Sequence, residues 1–191
     1  MGHLREVVTR FRRRKKTVIV SFVEHEAEIL AGMLRNLIEL LYDGMPPRVT
    51  AGMDPFDQLV ATDGPTAPPE DAVLRRLLPD AYSDDDQASA EFRRFTERGL
   101  RDGKAGDAKL VLTQIEDAES VADGIEIEPA DQLAWLRALN DLRLALGTRL
   151  GIEQDDYEVW ENLADDDPRR VTYDLYDWLG YLQSALLHNM R

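Results

Sequence analysis

Histidine and cysteine, which often catalyse reactions or bind metals, are rare or absent in this chain, and the histidine spacing matches no known motif. The histidines are His3, His25 and His188, whereas a zinc-protease motif needs two histidines one helical turn apart with a glutamate between them. Aspartates 84–86 and 165–167 offer oxygen ligands for a divalent cation, but neither run has calcium-loop spacing. Both lie at predicted helix starts, where aspartate caps free amides. We therefore predict a non-enzyme without catalytic residues, metal or cofactor.

Residue type and order argue against three further chemistries. The chain has no cysteine, which excludes disulfides, thiolate metal sites and cysteine nucleophiles within it. Gly147 and Gly151 could suggest a glycine-rich phosphate-binding loop. Such a loop precedes a helix, whereas these two glycines lie at the end of a predicted helix. No serine has the sequence surroundings of a hydrolase nucleophile. A hydrolase is thus supported only by scattered carboxylates.

The most unusual polar residues are Asn140, Asp141 and Arg143, inside a leucine-rich helical segment. Asparagine and aspartate are poor helix-interior residues, so their presence needs another reason. Arg137 and Asp141 are one turn apart and could pair, while Asn140 and Arg143 could reach a neighbouring segment or a partner. Three interpretations stay open, namely a buried structural network, an interaction surface and catalysis. The candidate interaction surface consists of Arg137, Asn140, Asp141, Arg143 and Arg149.

Charge is distributed unevenly along the chain. The formal net charge is −14, yet residues 1–16 carry seven basic side chains against one glutamate, which leaves about −20 on the remainder. A body of that sign repels phosphate backbones, so nucleic-acid binding is predicted only at the basic N-terminus, if at all. The alternative is a solvated hairpin turn whose cations protect a sheet edge. The candidate basic patch consists of Arg12, Arg13, Arg14, Lys15 and Lys16.

The elements that position these residues are predicted to be mostly helical. Two short runs rich in β-branched residues, 7–11 and 17–22, flank a five-residue turn at 12–16 and predict an N-terminal hairpin. Leucines at three- and four-residue spacing then predict a helix that Gly44 stops. Many proline and glycine residues in 44–72 predict a long surface loop.

The middle of the chain carries a helix start followed by two glycines. Ser83 precedes an acidic turn and is predicted to cap a helix. Gly103 and Gly106 interrupt the following apolar pattern, which indicates that two helices could form a helical hairpin there. Alternating apolar and acidic residues at 125–128 predict a brief extended connection.

Two long amphipathic helices are predicted to end the chain, starting at Pro129 and Pro168. The expected fold class is mainly α, a helical bundle with a short N-terminal β-hairpin. We expect one domain over 1–191, with a basic hairpin at 1–22, a loop at 44–72 and a helical core at 129–191. No apolar run is long enough for a membrane span, and the basic N-terminus lacks the apolar segment of a secretory signal. A cytoplasmic location follows as an expectation.

Three stretches read together resemble a known family. They are LLPDAY (77–82) with EFRR (91–94), WLRALNDLRLALGTRLG (135–151) and YDWLGYLQ (176–183). These resemble the actinobacterial AosR-type family of oxidative-stress transcriptional regulators, whose genes often lie beside that of the Clp adaptor ClpS. The resemblance covers nearly the whole chain, and NDLR (140–143) is its most specific part.

The resemblance implies a cytoplasmic regulator that acts through RNA polymerase or a sigma factor, and it implies no catalytic residues. Because the chain has no cysteine, thiol-based oxidant sensing cannot operate within it. Gene neighbourhood suggests a second class, an accessory protein of Clp proteolysis or sulfur metabolism. An exposed face on one of the terminal helices could also make a homodimer.

Overall fold

The computed structural model describes residues 9–45, 64–152 and 160–190. Its main elements within these ranges are β1 (Arg10–Arg14), β2 (Thr17–Ser21), α1 (Glu24–Tyr42), α2 (Ala72–Leu77), α3 (Asp86–Glu116), β3 (Ile125–Ile127), α4 (Gln132–Leu150) and α5 (Arg170–Met190). The predicted fold class, a mainly α protein with an N-terminal β-hairpin, is confirmed. Residues 46–63 of the predicted loop lie outside the described ranges, and the single-domain organisation stays a prediction.

The N-terminal hairpin is tighter than predicted. β1 pairs antiparallel with β2, and Arg14 lies opposite Thr17, so only Lys15 and Lys16 form the turn. The prediction of a five-residue turn at 12–16 is therefore wrong, because the three arginines at 12–14 extend the first strand. Lys15 adopts a positive φ of 61°, which is uncommon for a residue other than glycine and which the tight turn imposes.

β3 adds a third strand, giving the sheet order β1-β2-β3. The predicted extended connection is thus a strand, antiparallel to β2 with Val18 opposite Ile127. Ile125 and Ile127 are buried, while Glu126 between them is exposed and accepts a hydrogen bond from Arg14 at 2.8 Å. The alternation of apolar and acidic residues follows from one face packing on the helices and the other meeting solvent.

α1 packs its leucines into the core. Near its start, one carboxylate accepts hydrogen bonds from two donors. Glu26 accepts hydrogen bonds from the Val23 N–H at 3.3 Å and the Thr9 hydroxyl at 2.6 Å. The helix ends at Tyr42, and Gly44 follows with a φ of 67°, as the sequence predicted. The buried leucines of α1 are Leu30, Leu34, Leu37 and Leu41.

α3 is one continuous helix of 31 residues, so the predicted helical hairpin is wrong. An added Cβ at Gly103 or Gly106 would meet nothing within 4 Å, so packing does not require glycine at either position. Glycine has a low helix propensity and weakens the helix, but it does not end it here. The buried residues of the helix continue past both glycines, and packing against α1 and α4 keeps the helix continuous there. The N-cap is Asp85 rather than Ser83, and its carboxylate accepts from the Ala88 N–H at 2.9 Å.

α4 and α5 are the two C-terminal helices that the sequence predicted. Each starts two or three residues after its proline, because Pro129 and Pro168 lie in a turn before the helix. Gly151 closes α4 with a φ of 73°. α4 packs against α3 on one side and α5 on the other, and it buries Trp135, Ala138, Leu139 and Leu142. None of the helices in the described ranges is long and apolar enough to cross a bilayer.

Candidate functional site

The polar residues predicted on α4 lie along the contacts that this helix makes with α2, α3 and α5. Their apolar neighbours on α4 point into the core, where Trp135 is fully buried and stacks on Phe22 with ring centroids 6.4 Å apart. The Trp135 indole N–H donates to the Gln114 side chain at 2.6 Å, which fixes α4 against α3. The five candidate residues are therefore held on a rigid element.

Arg137 and Asp141 do not pair with each other, so the predicted one-turn ion pair is wrong. Arg137 instead makes a bidentate contact with Asp107 of α3. Its Nε and Nη2 groups donate to the two carboxylate oxygens at 2.7 and 2.9 Å. Asp141 accepts from the Lys104 ammonium at 2.8 Å. Each residue finds its partner on α3 because that helix crosses the turn of α4 that carries both.

Asp141 is the buried member of the candidate surface, with a relative exposure of 3%. Burial raises the pKa of its carboxyl, and Lys104 opposes the rise through its hydrogen bond and charge. The second carboxylate oxygen, Oδ2, has no hydrogen-bond partner. Asp141 thus belongs to a structural network, which is one of the interpretations that the sequence left open.

Asn140 and Arg149 are exposed and bridge to other elements. Asn140 accepts from the Gln183 side chain of α5 at 3.4 Å, and Arg149 pairs with Asp71 at 2.7 Å. Asp71 also caps α2 by accepting the Val73 N–H at 2.7 Å. Burial acts to raise the pKa of Asp71, but the hydrogen bonds outweigh it and the pKa is lowered. Arg149 therefore has a structural partner of its own.

Arg143 ends a continuous stack of aromatic rings. Its guanidinium carbon lies 4.7 Å from the ring centroid of Tyr176. Tyr176 stacks on Tyr173 at 6.2 Å, Tyr173 stacks on Trp160 at 6.0 Å, and the Arg169 guanidinium covers Trp160 at 5.2 Å. The arrangement of these rings between two arginines depends on how α5 packs on α4.

Two solvent-accessible cavities meet at Asn140. One, of about 520 Å³, lies between α3, α4 and α5 and is lined by Lys104, Asp107, Arg137 and Asp141 among others. The other, of about 550 Å³, lies between α2, α4 and α5. Lys104, Asp107 and Gln183 were not predicted as site residues, since no local spacing links them to α4.

A buried ionic network on α3 was also missed. Glu97 is 2% exposed and accepts hydrogen bonds from Arg93 and Arg101, one turn to either side. Arg93 also donates to the Leu78 carbonyl, and Arg101 to the Leu41 carbonyl at 2.8 Å. The four-residue spacing was visible in the sequence, but such spacing usually marks a solvated helix face.

The candidate basic patch lies on the hairpin and all five of its side chains are exposed. Arg14 pairs with Glu126, while Arg12 donates to the Asp123 carbonyl at 3.2 Å and Arg13 to the Lys15 carbonyl at 2.6 Å. β1 forms an edge of the sheet, where closely spaced cations oppose the addition of a further strand.

The sequence matches the family described as a domain of unknown function (DUF2017) over residues 8–190. It is 34% identical to the oxidative stress regulator AosR of Mycobacterium tuberculosis over 182 residues, 87% of this chain and 79% of the relative. The AosR protein of Mycobacterium leprae is 32% identical over 180 residues, 85% of this chain and 77% of the relative. No solved structure matches the chain significantly.

The chain therefore belongs to the DUF2017 family, within which it is similar to mycobacterial AosR proteins. The resemblance drawn from the three sequence stretches is confirmed. Residues 135–151 and 176–183 of those stretches supply α4, Tyr176 and Gln183, which together form most of the two cavities.

Proposed function

We propose that this protein is a stress-response transcriptional regulator that acts by binding another protein, RNA polymerase or a sigma factor. The observation that supports this role is the 34% identity to a relative named oxidative stress regulator over 87% of the chain. The partner class is inferred from the family resemblance.

The candidate contact surface consists of Arg137 and Asn140, the two exposed α4 residues that line the cavity between α3, α4 and α5. Arg137 has a side-chain exposure of 60% while paired with Asp107, so it can meet a partner without leaving its structural position. Arginine is enriched among residues that dominate protein–protein binding. Asn140 lies one turn further along the same helix and supplies both a donor and an acceptor.

The experiment is an affinity pull-down from a native lysate followed by mass spectrometry. The test variant is Arg137→Ala/Asn140→Ala. The matched control is Arg35→Ala/Asn36→Ala on α1, which removes the same residue types from an exposed position and likewise separates an arginine from an α3 carboxylate, Glu116. A third variant changes residues 12–16 to glutamine.

We expect polymerase or a sigma factor with the wild type and the α1 control, and its loss with the α4 variant. Loss only in the hairpin variant would move the contact surface to the basic patch. Recovery of Clp components or enzymes of sulfur metabolism in place of polymerase or a sigma factor would overturn the proposal in favour of an accessory protein. Thermal unfolding of every variant shows whether a lost interaction reflects a lost fold.

A further inference from the structure

The described lining of the cavity between α2, α4 and α5 contains two arginines and no acidic residue, although the chain is strongly acidic. Its lining includes Arg76 and Arg143, and no aspartate or glutamate contributes to it among the described residues. The chain as a whole carries a net charge of −14. Two arginines without a carboxylate beside them in the described lining mark a place where an anion would be stabilised.

No described carboxylate neutralises the charge of Arg143, so its guanidinium group could bind an anion. Within the described part of the chain it makes no ion pair, and its Nε is buried without a hydrogen-bond acceptor. A buried donor without an acceptor costs free energy, so the Arg143 guanidinium has hydrogen-bonding capacity that the described part of the chain does not use. Most other arginines with a described contact pair with a carboxylate, as Arg137, Arg149 and Arg101 do.

The surrounding residues keep Arg143 in one orientation. The stack of Tyr176, Tyr173 and Trp160 supports one face of the guanidinium. Gly180 of α5 lies beside it, since a Cβ at that position would lie 3.4 Å from the Arg143 Nε, at contact distance. An oriented guanidinium loses little conformational freedom when a ligand binds, which favours affinity.

The end of α4 presents few free carbonyl groups to this cavity. Gly147 O accepts from the Ile152 N–H at 2.9 Å, and Thr148 O accepts from the Gly151 N–H at 3.2 Å. Leu144 O accepts from the Thr148 hydroxyl at 2.8 Å. Hydrogen bonds within the chain therefore occupy these carbonyl groups at the negative end of the helix dipole. An anion nearby is repelled less than it would be by free carbonyl groups.

From these observations we infer that the cavity binds a small organic phosphate monoester. The planar fork of a guanidinium matches phosphate oxygens bidentately, and two guanidinium groups balance the charge of about −1.5 to −2 on a phosphoryl group at neutral pH. The volume of about 550 Å³ is larger than a phosphoryl group needs, which leaves space for an organic part beside Asn140 and Tyr176. This inference does not depend on the proposed regulatory function.

The test is an NMR titration of the full chain with ribose 5-phosphate at constant ionic strength. Ribose serves as the neutral control and sodium sulfate as a generic oxyanion. We expect saturable shifts at the Arg143 Nε–H and at the Gly147 and Thr148 amides with ribose 5-phosphate. Ribose should cause none, and sulfate should bind at least about tenfold more weakly because it carries no organic part to fill the cavity.

Two neighbouring arginines provide a matched pair of variants. Arg76 lines the cavity, whereas Arg75 is equally exposed on α2 but does not. Arg76→Gln should weaken ribose 5-phosphate binding about tenfold, in line with the loss of a charge-assisted hydrogen bond, and Arg75→Gln should leave it unchanged. Arg143→Lys keeps the charge but loses the fork, and should weaken binding similarly.

The inference is overturned if the shifts do not saturate, or if Arg75→Gln and Arg76→Gln weaken binding alike. Equal binding of sulfate and ribose 5-phosphate would indicate an adventitious ion only. Both Arg76→Gln and Arg75→Gln keep Arg137 and Asn140, so a failure here is separate from a failure of the proposed protein contact.

Discussion

At Asp141, burial and a nearby ammonium group act on the same carboxyl in opposite directions. Burial is the larger influence and raises the pKa, while Lys104 lowers it. Asp167 shows the opposite balance at the surface. There the side-chain hydrogen bond from Arg169, assisted by the Arg169 N–H, lowers the pKa to about 2. The two residues have the same type and ordinary pKa, so the difference comes from their surroundings.

We predict that the Asp141 carboxyl titrates above its ordinary pKa of 3.8, as measured by carbon-13 NMR. Lys104→Met should raise that pKa further, because it removes the hydrogen bond and the charge that stabilise the carboxylate. Asp167 provides the internal reference, with a midpoint near 2 that Arg169→Ala returns towards 3.8. A midpoint for Asp141 at or below 3.8 would contradict the prediction.

The sign of the stability effect follows from the raised pKa. Between 3.8 and the higher folded pKa, the folded state binds more protons at Asp141 than the unfolded state does. The contribution of Asp141 to the free energy of unfolding therefore falls as the pH rises through that window. For Asp167, whose pKa is lowered, the contribution is present above 3.8 and is lost as the pH falls towards 2.

At the scale of elements, α3 changes character along its length. Its first half buries the polar residues Ser89, Arg93, Glu97 and Arg101, and its second half buries Ala105, Ala108, Val111 and Ile115. The polar half binds carbonyls at the ends of α1 and α2, which are Leu41 O and Leu78 O. The network thus satisfies the last turns of two helices as well as its own charges.

We predict that Glu97→Ala lowers the free energy of unfolding by about 3–5 kcal/mol, because two buried guanidinium groups lose their shared partner. Urea unfolding monitored by circular dichroism measures the loss. Glu91→Ala, at an exposed position of the same helix, is the control and should change it by less than about 0.5 kcal/mol.

Replacing the whole network by apolar residues also tests whether unpaired buried charges cause the loss of stability. Arg93→Met/Glu97→Leu/Arg101→Met should regain much of the stability that Glu97→Ala loses, because no buried charge is then left unpaired. A loss below about 1 kcal/mol for Glu97→Ala would show that the guanidinium groups find other partners or water.

At the scale of the whole molecule, charge is separated between a basic hairpin and an acidic body. The net charge of −14 destabilises the compact state by self-repulsion, most strongly at low ionic strength. Asp84, Glu119 and Asp165 lie on exposed parts of three different segments. None of the three forms an ion pair with another described residue, so they sample the general repulsion of the body.

We predict that Asp84→Asn/Glu119→Gln/Asp165→Asn raises the melting temperature at low salt, because the net charge falls in magnitude from −14 to −11. Lysine at the same three positions should give about twice the gain. Both gains should largely disappear at about 1 M salt, where the Debye length is about 3 Å. Differential scanning calorimetry over a salt series measures this, and gains that do not change with salt would contradict it.

The sequence by itself determined α1, α4, α5, the hairpin, the third extended segment and the family, but neither α2 nor the continuity of α3. Apolar residues at helical spacing, capping aspartates and glycines past helix ends act over a few residues, so they are readable locally. The same local signals misled at Gly103 and Gly106, because the packing of α1 and α4 along α3 outweighs a helix-weakening glycine.

Only the tertiary structure decided which polar residues meet. Arg137 and Asp141 are neighbours on α4, yet each binds a distant residue of α3. Arg137 binds Asp107, 30 positions away, and Asp141 binds Lys104, 37 positions away. Arg143 gained its aromatic support from α5 and shares its cavity with Arg76 of α2. Such pairs depend on how helices pack against each other, and that geometry is set by the whole core, which no local spacing records.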